Sequence, residues 1–365
     1  VRKHLSDAQK RYSNKRIVNF IVNQKIAFSF YQLNSIYMKQ YLQLLRLPNL
    51  LFIAFVQFAM SEAVILPLLM TYGFDAGMSS SKLLLLILST ILIAAGGYVL
   101  NDYFDVKIDT INRPDKMIVG KTIPRASAMR YYQILTALGL LSGFILAFLV
   151  KSFSLGFIFL VVPGMLWFYS ATYKRQFLTG NIIVAFASAL SVLLPAILEL
   201  AVLESQYGKL IFETPIPKQI YAWVGGFAVF AFFCTLLREI IKDAEDIAGD
   251  REMECHTLPI VWGIKKTKII VYCLILLIVS GLLAVDFFLI DFSSSLTTRY
   301  LIFGLIIPFV CLGYLIFKAE NARDFHQAST LSKFIMLLGV SYSFVFYFLQ
   351  AQQYHFPIFH IFMVQ

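Results

Sequence analysis

The sequence predicts an all-α fold, a polytopic membrane bundle of about nine transmembrane helices, and three observations carry that prediction. Hydrophobic side chains make up 59% of the 365 residues and charged ones only 14%, where soluble domains carry about 25% charged residues. Apolar windows of roughly 20 residues, the length that crosses a hydrocarbon core of about 30 Å, recur along most of the chain. Lys and Arg gather on alternate connections between those windows, as they do on the cytoplasmic side of membrane proteins. With a mean hydropathy of +0.74, a water-soluble enzyme and a disordered or collagen-like chain are excluded. The net charge of +10 would suggest nucleic acid in a soluble protein; here topology accounts for it, and no nucleic-acid partner is expected.

Taken in order, the spans fall near 50–72, 83–100, 128–150, 152–172, 181–203, 219–240, 268–290, 299–317 and 331–350. Residues 1–48 precede them as a basic segment in which Ile17, Phe20, Ile21 and Phe28 offer apolar contact but Asn19, Asn23, Gln24 and Lys25 interrupt it too often for a span. An interfacial segment and a solvated basic tail are the two readings of that stretch. It lacks a short apolar core with a small-residue cleavage site, so no removable signal peptide is expected. Residues 49–350 form the transmembrane domain on this reading, and 351–365 a C-terminal tail. The four cysteines show neither paired nor CxxC spacing, so neither a disulfide framework nor a zinc site is expected.

Charge orients the bundle. With the N-terminus inside, that side holds nine Lys and Arg before the first span, six in 101–130, Lys174 and Arg175, six in 238–268 and three in 318–333. The other side keeps only Lys82, Lys151, Lys209, Lys218 and Arg299. An integral, multi-pass membrane protein is predicted, with a cytoplasmic N-terminus, cytoplasmic site loops and the C-terminus outside.

Two acidic clusters then stand out at cytoplasmic span ends. In the first, Asn101, Asp105 and Asp109 recur every four residues and Asp102 precedes Asp105 by three, so a continued second helix draws them into one stripe. In the second, at the end of the sixth span, Glu239, Asp243, Asp246 and Asp250 step by four, three and four, which again predicts one helical stripe. Carboxylates converging at a membrane interface repel one another and call for a cation. Hard oxygen ligands with few His or Cys nearby suit Mg²⁺, which keeps waters and is completed by substrate phosphates. A diphosphate clamped through Mg²⁺ follows, with Arg113, Lys116, Lys121, Arg125, Lys174, Arg175 and Lys242 as candidate counter-charges. The plain alternative is a pair of solvated loops whose charges cancel locally.

These residues resemble the UbiA superfamily of intramembrane prenyltransferases, whose NDxxDxxxD and DxxxD patterns match Asn101, Asp102, Asp105 and Asp109, and Asp246 and Asp250, with Asp243 just ahead. Lesser matches are Arg46 to Asn49, Tyr169 with Tyr173, Lys174 and Arg175, and Asn181; the likeness covers roughly 45–350. The resemblance implies Mg²⁺ held by Asp102, Asp105, Asp109, Asp246 and Asp250 on an allylic prenyl diphosphate whose tail lies in a groove open to the bilayer. It also implies that Lys116, Arg125 and Lys174 grip the diphosphate. Asn49 reads either as the family position near the substrate heads or as a helix N-cap after Pro48.

The wording of both motifs looks most like the branch that prenylates geranylgeranylglyceryl phosphate, an ether-lipid acceptor. The run from Met117 to Lys121 and the long basic N-terminus depart from it. Branches that prenylate aromatic quinone precursors are the main alternative, and a transporter or non-catalytic scaffold is a remote one. Transporters place ionisable groups near the midplane, whereas these carboxylates sit at span ends.

Overall fold

The computed structural model describes residues 38–358 and 362–363, save 75–76, 113, 116, 289, 291 and 293. The interfacial reading of the N-terminal segment therefore lies mostly outside the described residues. Among those described, nine helices are long and apolar enough to cross a membrane. They are α1 (Leu47–Met70), α2 (Ser80–Asn112), α3 (Arg125–Leu149), α4 (Phe153–Ala171), α5 (Thr179–Tyr207), α6 (Ile216–Glu245), α8 (Leu258–Phe288), α9 (Leu296–Lys318) and α10 (Ala322–Tyr354). The short α7 (Ile247–Glu252) lies between α6 and α8.

Proline shapes two of these helices. A π-turn over Ser61–Ile65 immediately precedes Pro67 in α1, and another over Leu301–Ile306 precedes Pro308 in α9. A proline ring lacks an N–H and collides with the carbonyl four residues back; a widened turn moves that carbonyl aside and lets the helix continue through apolar surroundings. α10 opens on a capping box, in which Asn321 and Asp324 satisfy each other's backbone N–H groups.

Packing sets the neighbours. α2 lies along α3, α5 along α6, and α6 also against α8 and α10. A buried Ser89–Ser142 hydrogen bond of 2.9 Å joins α2 to α3, the kind of small polar contact that helps membrane helices associate. Large apolar side chains such as Phe148, Phe153, Leu276 and Phe317 face outward, as a lipid-solvated surface requires.

Two sequence expectations change. The ninth span begins near 322, not 331, because a capped polar turn extends it past its apolar window; the seventh is preceded by a short apolar turn from Leu258 that Gly263 (φ 77°, ψ 162°) breaks from the span proper. The second acidic stripe is also broken: α6 stops at Glu245, Asp246 leaves helical geometry (φ −94°, ψ 10°), and Asp250 rides on α7. Steps of four, three and four fit one helix equally well, and a tertiary contact described below accompanies the break.

Candidate active site

α2 continues as helix through Asn112, so the first motif is the single stripe its spacing predicts. Asn101 Nδ2 donates to Asp105 Oδ2 at 2.6 Å. Lys174 Nζ pairs with Asp105 and also reaches Asn101 Oδ1 at 3.4 Å. Lys174 arrives from a single 3₁₀ turn, Tyr173–Arg175, pressed onto the start of α5. At Gly180 a Cβ would lie 2.6 Å from the Lys174 Cα, so only glycine lets the turn approach this closely. From the other side Arg46, the N-cap residue of α1, meets Asp102 Oδ1 at 2.5 Å.

The second motif is held by amide and hydroxyl groups. Asn181 Nδ2 donates to Asp243 Oδ2 at 2.8 Å, and Thr257 Oγ1 donates to Asp250 Oδ2 at 3.3 Å. Burial, reinforced by the neighbouring Asp246 and by Asp105 across the site, pushes the Asp250 carboxyl up to about 6, against the pull of Lys174. Asp105 and Asp250 therefore share one electrostatic neighbourhood although they come from different helices. The Tyr169 hydroxyl, on α4, lies within reach of the charges on Glu239, Asp105, Asp243 and Arg46.

Asn112 joins the two motifs. Its Nδ2 donates to the Asp246 carbonyl at 3.2 Å and its Oδ1 accepts from the Gly249 N–H at 2.8 Å. A Cβ on Gly249 would sit 2.5 Å from that Oδ1. One side-chain amide thus spans the break between α6 and α7 and docks α7 on the end of α2. A second tie, His256 N–H to the Arg175 carbonyl at 2.8 Å, joins the segment after α7 to the turn that carries Lys174.

Other expected residues go elsewhere. Arg125 stacks on the Tyr103 ring, 4.6 Å from its centroid, and its Nη2 lies 3.5 Å from the Tyr103 carbonyl. Lys242 turns to Glu239 at 2.9 Å. Asn49 is not the N-cap, because Arg46 occupies that place; its side chain lies beside Tyr98. Arg113 and Lys116 lie outside the described residues. Arg46, Asn112 and Thr257 were not singled out from sequence as site residues. Arg46 and Asn112 sit within the runs around Asn49 and Asp109, where position near the motifs was their one signal.

The donor set is hard oxygen throughout, the chemistry Mg²⁺ takes. Among the described residues no three His, Cys, Asp or Glu form a ready-made cage. The arrangement fits an ion held by one or two carboxylates at a time and completed by water and phosphate oxygens.

Residues 51–353 match the profile of the UbiA prenyltransferase family. The chain belongs to that family. It is an integral, multi-pass membrane prenyltransferase of the UbiA fold. It is 31% identical over 253 residues to a digeranylgeranylglyceryl phosphate synthase of Methanosphaera stadtmanae, covering 68% of this chain and 82% of that one. A second synthase of that name, from Sulfurisphaera tokodaii, is 31% identical over 255 residues, 70% of this chain and 84% of the relative. Among solved structures, a digeranylgeranylglyceryl phosphate synthase superposes with a TM-score of 0.57 at 24% identity over 85% of this chain and 98% of that chain. A UbiA homologue from Archaeoglobus fulgidus, bound to DMAPP and Mg²⁺, gives 0.50 at 17% identity over 84% and 99%. Both structural likenesses concern the fold.

Proposed function

We propose that this UbiA enzyme transfers a geranylgeranyl group from its allylic diphosphate to geranylgeranylglyceryl phosphate, in a Mg²⁺-dependent reaction at the cytoplasmic face. The observation that supports the site is the Asn112 staple, which ties the Asp246–Gly249 segment to the end of α2, together with Lys174, which pairs with Asp105 and lies within electrostatic reach of Asp250. The names of the similar synthases support the acceptor.

In this reading Asp102, Asp105, Asp109, Asp246 and Asp250 hold Mg²⁺, which when bound neutralises the diphosphate and eases its departure. Asp243, fixed by Asn181, supports the same group. Lys174 and Arg46 now pair with Asp105 and Asp102; with a diphosphate present both cations lie where they can contact its oxygens as charge develops. Arg125, stacked on Tyr103 beside the first motif, and Arg113 and Lys116, which follow that motif in sequence, are assigned to the donor with them. The allylic C–O bond breaks and its electron pair leaves on the diphosphate. The acceptor hydroxyl forms the new ether bond at that carbon, and its proton passes to the released diphosphate. Half-burial of the motif side chains limits water, which would otherwise capture the allylic cation. Tyr169 and Asn49 border the same space from α4 and α1.

The test is product identification. Purified protein in lipid receives geranylgeranyl diphosphate with either geranylgeranylglyceryl phosphate or an aromatic quinone precursor, with and without Mg²⁺. Ether product formed only with Mg²⁺ is expected; prenylated aromatic alone would move the enzyme to the quinone branch. A reporter fused after Gln365 tests the orientation and is expected on the face opposite the site.

A further inference from the structure

A second group of charges lies beside the aspartate site and is not used by it. Arg238, Glu239 and Lys242 sit on α6, and α10, packed along α6, carries Lys333. The buried Glu239 takes both Arg238 Nη1 at 2.6 Å and Lys242 Nζ at 2.9 Å. The Arg238 Nε is enclosed with no acceptor. Lys333 is accessible, makes no hydrogen bond or ion pair among the described residues, and lies within electrostatic reach of Arg238, Lys242, Glu239 and Arg46. Two cations thus pair with one buried carboxylate, and a third, the exposed Lys333, lies within electrostatic reach of them. Of the neighbouring charges, Arg46 is paired with Asp102, and Asp243, hydrogen-bonded by Asn181, is counted with the aspartate site.

Cations gathered inside a membrane bundle are costly unless an anion meets them. An excess of two positive charges matches a phosphate monoester, which carries about −1.5 to −2 at pH 7, better than it matches a carboxylate. The place is also suitable. Lys242 precedes Asp246 by four residues, about 6 Å along a helix axis, so an anion here sits roughly one turn toward the bilayer from the aspartates. Tyr98, whose ring carries Arg46 5.2 Å from its centroid, also lies within electrostatic reach of Arg238.

We propose that Arg238, Lys242 and Lys333 form a second anion subsite, which holds the phosphate of the acceptor while the aspartates hold the diphosphate of the donor. The proposal rests on the reading of the acceptor as a glyceryl phosphate lipid. It assigns Lys242 to the acceptor rather than the donor, and brings in Arg238 and Lys333, which no motif signals.

Lys333→Gln is the variant of choice, since Lys333 has no partner to strand, with Lys333→Arg as the conservative control. Full-length protein in lipid is assayed at saturating geranylgeranyl diphosphate and Mg²⁺ with geranylgeranylglyceryl phosphate or with the same lipid lacking its phosphate. Lys333→Gln is expected to raise KM for the phosphorylated acceptor roughly tenfold, the scale of one charge-assisted hydrogen bond. kcat, donor KM and use of the dephosphorylated lipid should stay unchanged, and Lys333→Arg should restore the acceptor KM. An unmoved acceptor KM, a raised donor KM, or equal loss with both lipids would overturn the subsite while leaving the proposed function standing. Failure of the wild-type protein to use the phosphorylated lipid would overturn both.

Discussion

The two acidic motifs are built differently. The first rides on one unbroken helix, and its side chains meet cations, Lys174 and Arg46, that come from other elements. The second is split at Asp246, and two of its side chains, Asp243 and Asp250, meet the neutral donors Asn181 and Thr257. Helix geometry alone keeps the first motif in register; the second depends on a staple from α2, because Asp250 would otherwise swing with α7. On the proposed function the contrast also separates roles. The cation-paired motif is ready to exchange its partners for a metal and a diphosphate, whereas the amide-held motif is a fixed wall of carboxylates opposite.

The comparison breaks most sharply if either wall is removed. Asp105→Asn and Asp246→Asn should each lower transfer by at least about a thousandfold while the protein still inserts, a scale set by loss of electrostatic stabilisation at a reacting centre. Initial rates at saturating Mg²⁺ read the effect, and a variant at wild-type rate would remove that aspartate from the site. Next comes Lys174→Met, expected to cost roughly a hundredfold in kcat and to leave the acceptor KM unchanged. Product formation measured against donor concentration separates this from a binding defect. Asn112→Ala tests the difference between the motifs. It should weaken apparent Mg²⁺ affinity by about 10–100-fold, the usual cost of losing a group that orients a metal ligand. Asn112 bonds backbone atoms of Asp246 and Gly249, so an unchanged Mg²⁺ titration would show that α7 needs no staple. The smallest effect is expected from Thr257→Val, which removes one neutral hydrogen bond worth about 1 kcal/mol and should cost no more than roughly tenfold in rate.

Much of this was legible from sequence. Spans of mixed Leu, Ile, Val and Phe announce themselves because the bilayer demands about 20 apolar residues in a row, and all nine lie where hydropathy puts them, to within several residues at most ends. The start of α10 was not legible, since a helix that projects past the apolar slab is stabilised by caps and packing, which hydropathy ignores; nor was the kink at Gly263 that sets a short turn before the seventh span. The first stripe was readable because a single helix fixes its geometry. The second was not, since a break at Asp246 depends on contacts with Asn112, 134 residues away in sequence. Charge in a sequence likewise carries no direction: Arg125 and Lys242 have the right sign, yet they turn to Tyr103 and Glu239. The role of Arg46 stayed hidden because its partner, Asp102, is 56 residues on.

The central claim is that two motifs from different helices act as one diphosphate site, and a metal-binding measurement reaches it most directly. Mn²⁺ in place of Mg²⁺ would be titrated by electron paramagnetic resonance into protein in lipid, with and without a non-hydrolysable geranylgeranyl diphosphate analogue, for the wild type, Asp105→Asn and Asp246→Asn. The account predicts Mn²⁺ binding that tightens with the analogue in the wild type and fails to tighten in both variants. Full analogue-dependent binding in either variant would contradict it, because one motif alone would then suffice to hold the diphosphate.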